Sequence, residues 1–308
     1  MIVCCGEALI DMLPSPTKTG KIGFVPHSGG AVFNTAIALG RLGIDVSLLT
    51  RLSKDLFGEQ LYNDLKDSEV KTEYIIRSQK PSTLAFVQLT DGHANYSFFD
   101  ENSAGRMLSF SDFPIINDEV NALYFGGISL ACEPAADAYA TLCEQQNISK
   151  LIMVDPNIRP NFVTSEQRYR TRLEKIFSCA DIIKISDEDL NWIYPELFSF
   201  DEMIEKLFSS GAKIILLTKG SHGAYGYMKN GITAYAPTHK VNVVDTVGAG
   251  DTFNAGVLAQ LTKMNLLEKN ILSSMTKSQL TQILEYGSKI ASITVSRAGA
   301  NPPWKNDL

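Results

Sequence analysis

Short, uninterrupted apolar runs separated by longer amphipathic stretches are the feature that most constrains how this 308-residue chain can fold. The runs are rich in Val, Ile and Leu with little polar alternation, which is typical of strands that are buried on both faces. Stretches of helical length lie between them, so the order of elements predicts repeated β-α-β units in an α/β fold with a mostly parallel sheet. The predicted strands are 2–6, 45–50, 122–127, 151–157, 181–186 and 214–220, and the predicted helices are 31–42, 55–67, 134–147, 165–178 and 200–210.

Two segments interrupt this alternation. Residues 82–100 read as two strands joined at Asp91 and Gly92, and Asp-Gly between apolar runs is a hairpin signal. Residues 14–27 are punctuated by proline and glycine and end in another short strand. The two segments are distant in sequence but could pair into one small sheet. The pattern leaves open whether they are edge hairpins of the main sheet or a lid over a site.

Composition and charge exclude several classes of protein. The formal net charge is -6 and the isoelectric point about 5.3, and no basic block indicates a nucleic-acid or membrane-surface partner. No apolar run reaches the ~20 residues that a bilayer-spanning helix needs. The apolar start of the chain meets Glu7 and Asp11, so we read it as a buried strand and not as a signal peptide. The five cysteines are odd in number without Cys-x-x-Cys spacing, which favours a reduced, cytoplasmic protein without a disulfide framework or zinc site.

Polar residues gather after the predicted strands. Asp11 follows the first strand, Asp155 and Arg159 follow the fourth, and Ser186 and Thr218 end the next two. The carboxyl ends of parallel strands meet at one edge of the sheet, where open α/β sheets bind their ligands. We therefore expect a ligand site at this edge, although polar loops alone would give part of the pattern.

The stretch DTVGAGDTF, residues 245–253, carries the strongest chemical signal. Gly248 and Gly250 precede an apolar helical stretch, so free N–H groups of a helix start can meet a phosphate without an intervening Cβ. Asp251 at the same place would repel a phosphate, unless it accepts a proton from an attacking hydroxyl. That combination describes phosphoryl transfer to an alcohol. The alternative is that Asp251 is an ordinary first-turn residue.

A second glycine-rich stretch, SGGAVFNTAIALGRLG at 28–43, also begins a predicted helix. Gly29 and Gly30 allow a ligand to reach the backbone, and the Asn34 amide offers both a donor and an acceptor, as a sugar requires. A glycine-rich helix start with a local asparagine cap is the alternative. The stretch lacks the Gly-x-Gly-x-x-Gly spacing of a dinucleotide-binding turn, which disfavours a dehydrogenase.

Together these two stretches resemble the two signatures of the ribokinase-like (PfkB) carbohydrate kinases, and among them those of bacterial fructokinases. The resemblance runs along the chain through GEALIDMLP, DPNIRP, TKGSHG and VSRAGA. It implies a three-layer α/β/α core with a mostly parallel sheet and a small β lid. The implied core comprises 1–13, 28–81 and 105–308, and the implied lid comprises 14–27 and 82–104.

The resemblance also implies roles for individual residues. Asp251 matches the catalytic base that deprotonates the sugar hydroxyl. The backbone N–H groups of Gly248, Ala249 and Gly250 match the anion hole that holds the transferring phosphate. The implied substrate-binding residues are Asp11, Gly29, Gly30, Asn34, Phe98 and Arg159, and the implied nucleotide-binding residues are Ser186, Thr218, Gly220, Gly223 and Gly250.

Metal binding is implied less directly. The family often has Asn-x-x-Glu after the fourth core strand, whereas this chain has Ser186-Asp187-Glu188-Asp189. Asp189 keeps an acid at the last position, and Mg²⁺ needs few protein ligands because it retains most of its waters. Many relatives bind a monovalent cation such as K⁺ near the second signature, and the matching positions are Asp245, Val247, Arg297 and Gly299.

The implied reaction is ATP-dependent phosphorylation of D-fructose at its 6-hydroxyl, with the lid excluding water and pairing two subunits in a homodimer. Other kinases of the family, acting on 2-keto-3-deoxygluconate, ribose or a nucleoside, are the nearest alternatives. Arg159 would suit an acid sugar but occurs in the same motif of both groups. A non-catalytic sugar-binding protein is a further alternative, and an intact Asp251 argues against it.

Overall fold

A computed structural model of the protein describes residues 1–90, 93–195 and 199–308. The predicted turn at Asp91 and Gly92 lies outside the described residues, although the strands on either side of it pair with each other. The strands are β1 (Ile2–Cys5), β2 (Leu9–Pro16), β3 (Ile22–Gly29), β4 (Val46–Ser53), β5 (Ile75–Ser78), β6 (Leu84–Thr90), β7 (His93–Phe99), β8 (Ala122–Gly126), β9 (Leu151–Asp155), β10 (Ile182–Ser186), β11 (Ile214–Thr218), β12 (Ala224–Met228) and β13 (Thr233–Ala236). The helices are α1 (Ala31–Arg41), α2 (Leu56–Asp67), α3 (Ala135–Gln146), α4 (Glu166–Cys179), α5 (Asp187–Ile193), α6 (Phe200–Ser210), α7 (Ala249–Lys263), α8 (Lys269–Leu272) and α9 (Lys277–Val295).

The larger sheet has nine strands in the order β13-β12-β11-β10-β9-β8-β1-β4-β5. Neighbours from β11 through β5 are parallel, whereas β12 and β13 are antiparallel additions at one edge. The chain moves from β1 to β4 and β5 in one direction and, later, outward from β8 in the other. Ligands of open parallel sheets bind beyond the carboxyl ends of the strands at such a reversal.

Both faces of this sheet are buried, which explains the continuous apolar runs. In β1, Ile2 and Cys4 pack into a core with α1, α7 and α9, while Val3 and Cys5 pack into the opposite core with α3, α4 and α6. Successive side chains of a strand point to opposite faces, so a strand between two helical layers is apolar throughout. The predicted three-layer α/β/α core is therefore confirmed.

Four strands form a second sheet in the order β3-β2-β6-β7. The parallel pairing of β2 with β6 joins the two segments that interrupt the sequence pattern. The sheet spans 9–29 and 84–99, so its first segment is longer than the expected 14–27 and its second lies inside the expected 82–104. The division of the chain into a core and a lid domain remains a prediction.

Asp11 corrects one expectation from the sequence. It does not follow β1 at the edge of the main sheet, because the chain turns after Gly6 and enters β2 at Leu9. Asp11 therefore lies within a strand of the small sheet, opposite His27 of β3 and Ala85 of β6. Within the described ranges, no helix has the length and apolarity needed to cross a membrane.

Candidate active site

Two helices begin at the same edge of the main sheet and bring their amino ends together. α1 starts after Gly30 and α7 starts after Gly248. Thr35 Oγ1 in α1 donates a hydrogen bond to the backbone oxygen of Asp251 in α7 at 3.1 Å. The first N–H groups of a helix lack partners within it and attract negative charge. The meeting point of the two helix starts therefore favours an anion.

Gly30 and Gly248 are both required by the backbone at these helix starts. Their φ angles are 107° and 77°, in a region of backbone conformation that residues with a Cβ rarely adopt. A Cβ on Gly248 would lie 2.7 Å from the Cβ of Ala300, and one on Gly30 would lie 3.0 Å from the backbone oxygen of Glu7. The structure thus explains why glycine stands at two of the predicted site positions.

Asp251 lies in the first turn of α7 with its side chain turned towards a cavity. It is only 7 % exposed, and Asn34 Nδ2 donates to its Oδ2 at 2.9 Å. Burial raises the pKa of Asp251 from its ordinary value to about 7, although the Asn34 hydrogen bond acts in the opposite direction. A carboxyl group with a pKa near neutrality can take and release a proton at physiological pH.

A cavity of about 410 Å³ opens in front of Asp251, between the main sheet and the small sheet. Asp11 reaches it from β2, and burial raises the pKa of this carboxyl to about 6. Polar groups on several sides of a partly apolar cavity are typical of a small-molecule site. The predicted residues that line this cavity are Asp11, Gly30, Asn34, Phe98, Arg159, Val247, Gly248, Ala249, Gly250 and Asp251.

Phe98 connects the small sheet to the main body at this cavity. Its ring lies 4.0 Å, between centroids, from that of Phe162 in the segment that follows β9. Both rings line the cavity. Such aromatic pairs contribute about 0.5–1.5 kcal/mol beyond the area they bury. The contact holds the small sheet over the cavity.

A second cavity, of about 500 Å³, lies on the other side of the start of α7. The predicted residues Thr218, Gly220 and Gly223 line it where β11 turns into β12. Its other walls combine apolar side chains, such as Val241 and Phe253, with polar ones, such as Thr238 and Ser292, a combination common in small-molecule sites. Thr246, Ala249 and Gly250 line both cavities, so the two spaces meet at the amino end of α7.

Six predicted residues line neither cavity: Gly29, Ser186 and Asp189, and the cation candidates Asp245, Arg297 and Gly299. Gly29 ends β3, and a Cβ there would lie 2.3 Å from Asp11 Oδ2, so its bare backbone leaves room for that carboxylate. Ser186 caps α5 by accepting the N–H of Asp189 at 3.0 Å. Asp189 is buried, and its Oδ1 accepts the N–H of Ile158 at 2.9 Å. Both oxygen-bearing side chains thus have structural partners, and their nucleotide and metal roles remain predictions.

The candidate residues for a monovalent cation meet in one loop cluster. Asp245 accepts the N–H of Val247 at 3.0 Å and the N–H of Gly299 at 2.9 Å. The side chain of Arg297 turns away to Asp307 and to the backbone of Pro302. The Asp245 carboxylate therefore ties the stretch before α7 to the segment after α9, and the cation itself remains a prediction.

Glu7 is a site residue to which the sequence analysis assigned no role. It lines the first cavity and accepts the backbone N–H groups of Ala31 at 2.9 Å and Ser129 at 3.2 Å. Burial raises its pKa. The sequence did carry a signal, because Glu7 directly follows the first strand, at the reversal of strand order.

The geometry defines a class of protein. Two cavities meet at a helix start that attracts anions, and a carboxyl group with a pKa near 7 faces one of them. Two molecules bound in these cavities would have their reacting groups close together and oriented. The fold and the site are those of an α/β enzyme that transfers a phosphoryl group between two bound substrates.

Comparison with known proteins names the family. The model of the pfkB family of carbohydrate kinases matches residues 1–307. The chain therefore belongs to this family and is a carbohydrate kinase, as the two sequence signatures implied.

Curated relatives and solved structures agree. A fructokinase of Rhizobium leguminosarum bv. trifolii is 45% identical over 91% of this chain and 85% of its own length. A probable chloroplastic fructokinase-6 of Arabidopsis thaliana is 32% identical over 98% of this chain and 79% of its own length. The crystal structure of a Xylella fastidiosa fructokinase with bound ATP superimposes with a TM-score of 0.88 at 27% identity, covering 97% of this chain and 93% of the other.

Proposed function

We propose that this carbohydrate kinase is a fructokinase that transfers the γ-phosphoryl group of ATP to the 6-hydroxyl of D-fructose. The choice of sugar is supported by relatives that are themselves described as fructokinases. One observation supports the proposed reaction most directly: the two cavities share a wall. Thr246, Ala249 and Gly250 line both cavities, and Asp251 faces the first.

Fructose occupies the first cavity in this proposal. Asp11, Asn34 and Arg159 offer it hydrogen-bond donors and acceptors, and Asp251 accepts the proton of the attacking hydroxyl. ATP occupies the second cavity, with its terminal phosphate at the backbone N–H groups of Gly248, Ala249 and Gly250. These fixed donors stabilise the charge of the transferring group.

Mg²⁺ and a monovalent cation such as K⁺ complete the proposal. Among the residues that the structure describes, no group of three or more His, Cys, Asp and Glu side chains is arranged to hold a metal ion. This fits a Mg²⁺ ion that enters on the ATP phosphates, keeps most of its waters and neutralises phosphate charge. Asp189 would orient one such water, and the loop cluster at Asp245, Val247, Arg297 and Gly299 would hold the monovalent cation.

The small sheet acts as a lid in this proposal, with its two faces serving different purposes. Its inner face brings Asp11 and Phe98 to the sugar cavity, which excludes water as a competing nucleophile. Its outer face exposes apolar side chains, including Ile22, Phe24 and Phe99. We propose that this face pairs with a second copy of the chain in a homodimer. The free thiols of all five cysteines support a cytoplasmic location.

A panel of sugars with ATP tests the substrate assignment. The rate of ADP release is measured for fructose, 2-keto-3-deoxygluconate, ribose and a nucleoside, and the sugar phosphate is identified by NMR. We expect fructose to give the highest kcat/KM and fructose 6-phosphate as the product. Phosphorylation at another hydroxyl, or a clear preference for another sugar, would contradict the assignment.

The Asp251→Asn variant tests the assignment of the base. It should lower kcat about 10²–10⁴-fold, the usual contribution of a general base, with ATP affinity retained. Near-normal turnover would refute the role.

One observation favours 2-keto-3-deoxygluconate kinase as a second candidate. The guanidinium of Arg159 lines the sugar cavity, where its positive charge could pair with the carboxylate of an acid sugar. The Arg159→Gln variant separates the two substrates. It would lower kcat/KM much more for 2-keto-3-deoxygluconate than for fructose if this second candidate were correct.

A further inference from the structure

A lysine that the sequence analysis passed over lies beneath the start of α7. Lys184 stands in the middle of β10, and its side chain is only 5 % exposed. Its ammonium lies 3.4 Å from the place where a Cβ on Gly250 would be. A bond from Cα to a substituent carbon is about 1.5 Å long, so the ammonium is within about 5 Å of the Gly250 backbone. A buried cation therefore lies under the residue at which the two cavities meet.

A buried polar network holds this ammonium in place. Lys184 Nζ donates to Asp155 Oδ2 at 2.9 Å, and Asn254 Nδ2 donates to the same oxygen at 2.7 Å. Asn254 Nδ2 also donates to the Tyr124 hydroxyl at 3.0 Å. A buried ion pair contributes little net stability, because the loss of hydration offsets the attraction. The pair is therefore better explained by what it does for the site above it.

The network is only partly satisfied. An ammonium group carries three N–H donors. Among the described residues, Lys184 has a hydrogen bond to one acceptor, Asp155 Oδ2, which leaves two of its N–H groups spare. Asp155 Oδ1 and Asn254 Oδ1 are also buried without a partner, but both are acceptors, so they call for a hydrogen-bond donor and not for an anion. Buried polar atoms in folded proteins are nearly always paired, and the exceptions need an explanation. Of these groups only the Lys184 ammonium favours an anion, and it lies under a helix start that also attracts anions.

We propose that Lys184 is a positioning residue for phosphoryl transfer, supplying fixed positive charge beneath the phosphate pocket of α7 and favouring the ionised form of Asp251. The inference deepens the proposed function and rests on it. Lys184 acts through the Gly250 backbone and through the electrostatic field, which is weakly screened in a buried site. Asp155 and Asn254 fix the position of the charge.

Several charged and titratable groups face Asp251. Asp155 comes from β9, Arg159 from the segment after β9, Lys184 from β10 and Tyr124 from β8. Burial and Asp155 raise the pKa of Asp251, whereas Lys184 and Arg159 lower it. Removing the charge of Lys184 therefore raises that pKa further, and the protein needs a higher pH before its base is ionised.

The test compares three substitutions at Lys184 with one matched control. Lys184→Met removes the charge and keeps the length, Lys184→Gln removes the charge and keeps polarity, and Lys184→Arg keeps the charge. Lys150→Met is the control, because Lys150 is also a buried lysine and donates to the backbone oxygens of Asn117 and Asp118. Lys150 precedes β9 and therefore lies at the opposite edge of the sheet.

The first measurement is the pH dependence of kcat and kcat/KM for the best sugar substrate. We expect Lys184→Met and Lys184→Gln to lower kcat at pH 7 about 10–100-fold, and to move the acidic limb of kcat/KM up by about one pH unit. The KM for the sugar should change less than about threefold. Lys184→Arg should keep the acidic limb at the wild-type pH, and Lys150→Met should keep both the limb and kcat. An unmoved acidic limb in the folded neutral variants would overturn the proposal.

The second measurement does not depend on turnover. The affinity for an ATP analogue with a non-transferable γ-phosphate is compared with that for ADP by calorimetry. Lys184→Gln should lower the ratio of the affinity for the analogue to that for ADP about threefold or more, because the lost lysine charge would lie near the γ-phosphate, which ADP lacks. Lys150→Met should leave this ratio unchanged. An unchanged ratio in Lys184→Gln would contradict the proposal, whereas absence of kinase activity in the wild type with every sugar would contradict the proposed function instead.

Discussion

Asn34 Nδ2 donates a hydrogen bond to Asp251 Oδ2 at 2.9 Å, across 217 positions of sequence. The bond joins the start of α1, which lines the proposed sugar cavity, to the start of α7, which lies between the two cavities. A donor to a carboxylate favours its charged form, so this bond lowers the pKa of Asp251 against the effect of burial. A residue of the proposed sugar cavity thereby also influences the proton affinity of the proposed base.

The Asn34→Ala variant tests this relationship. Loss of the donor should raise the pKa of Asp251 above its value of about 7, so the acidic limb of kcat/KM should move to higher pH. We expect kcat/KM at pH 7 to fall about 10-fold or more, since a hydrogen bond to a charged group contributes ~1.5–3 kcal/mol. The pH profile is measured by coupled detection of ADP. Asn147→Ala, at the end of α3, is the control, and an identical limb in wild type and Asn34→Ala would contradict the relationship.

The raised pKa of Asp251 also predicts how stability depends on pH. The folded protein holds this proton up to about pH 7, whereas an unfolded chain releases it near the ordinary aspartate pKa of 3.8. Between these values the folded state binds more protons, so this group makes stability fall as the pH rises. Asp251→Asn removes that dependence. The variant should be more stable than the wild type at pH 8 by on the order of 1 kcal/mol or more, with little gain at pH 4.

Urea unfolding at pH 4, 6 and 8 measures this difference. The expected result is a gap between variant and wild type that widens with pH. A gap that is the same at all three values would show that Asp251 has an ordinary pKa in the folded protein.

The main sheet could be predicted from sequence because its signal is local. Strands such as β1 and β9 are short, apolar and buried on both faces, and each pattern is complete within the strand itself. β12 and α9 were not predicted, although both are present. β12 lies next to the edge strand β13 and alternates buried and half-buried residues, which makes its pattern weaker than that of a central strand.

The site could be predicted only in part. Gly248 and Asp251 were found because a motif places them next to each other. Lys184 was not, because its proposed role depends on long-range contacts with Asp155 and with the backbone of Gly250. Ser186 and Asp189 have the expected residue types after β10, and their side chains accept backbone N–H groups of Asp189 and Ile158, so their nucleotide and metal roles stay predictions.

The glycine at 248 allows a prediction with a close control. Gly248 and Gly231 both have a positive φ, of 77° and 89°. A Cβ on Gly248 would lie 2.7 Å from that of Ala300, whereas one on Gly231 would meet no atom within 4 Å. Both alanine variants carry the cost of a left-handed residue, ~1–2 kcal/mol. Gly248→Ala should also displace the start of α7 and lower kcat at least 10-fold.

Thermal unfolding and steady-state kinetics of the two variants separate these effects. Gly231→Ala should lose stability only and keep the kcat of the wild type. Equal kcat values in both variants would mean that the start of α7 tolerates the shift, and that its N–H groups are not positioned for the reaction.

Phe98 and Phe99 are neighbours on β7 that serve opposite faces of the small sheet. Phe98 lines the proposed sugar cavity and packs against Phe162 with the rings tilted by 59°, whereas Phe99 is 58% exposed and contacts Phe86 on the outer face. Phe98→Ala should loosen the lid and admit water. We expect the KM for the sugar to rise about 10-fold, because a well-packed aromatic contact is lost. The ratio of ATP hydrolysis to sugar phosphorylation should also increase.

Phe99→Asp should have the complementary effect. A charge on the outer face should dissociate the proposed homodimer, because an unpaired charge in an apolar interface is strongly unfavourable, while hydrolysis per transfer stays at the wild-type ratio. Sedimentation velocity gives the association state, and parallel assays of ADP and sugar phosphate give the ratio. If Phe98→Ala and Phe99→Asp changed the same quantity, the small sheet would not divide water exclusion and subunit pairing between its two faces.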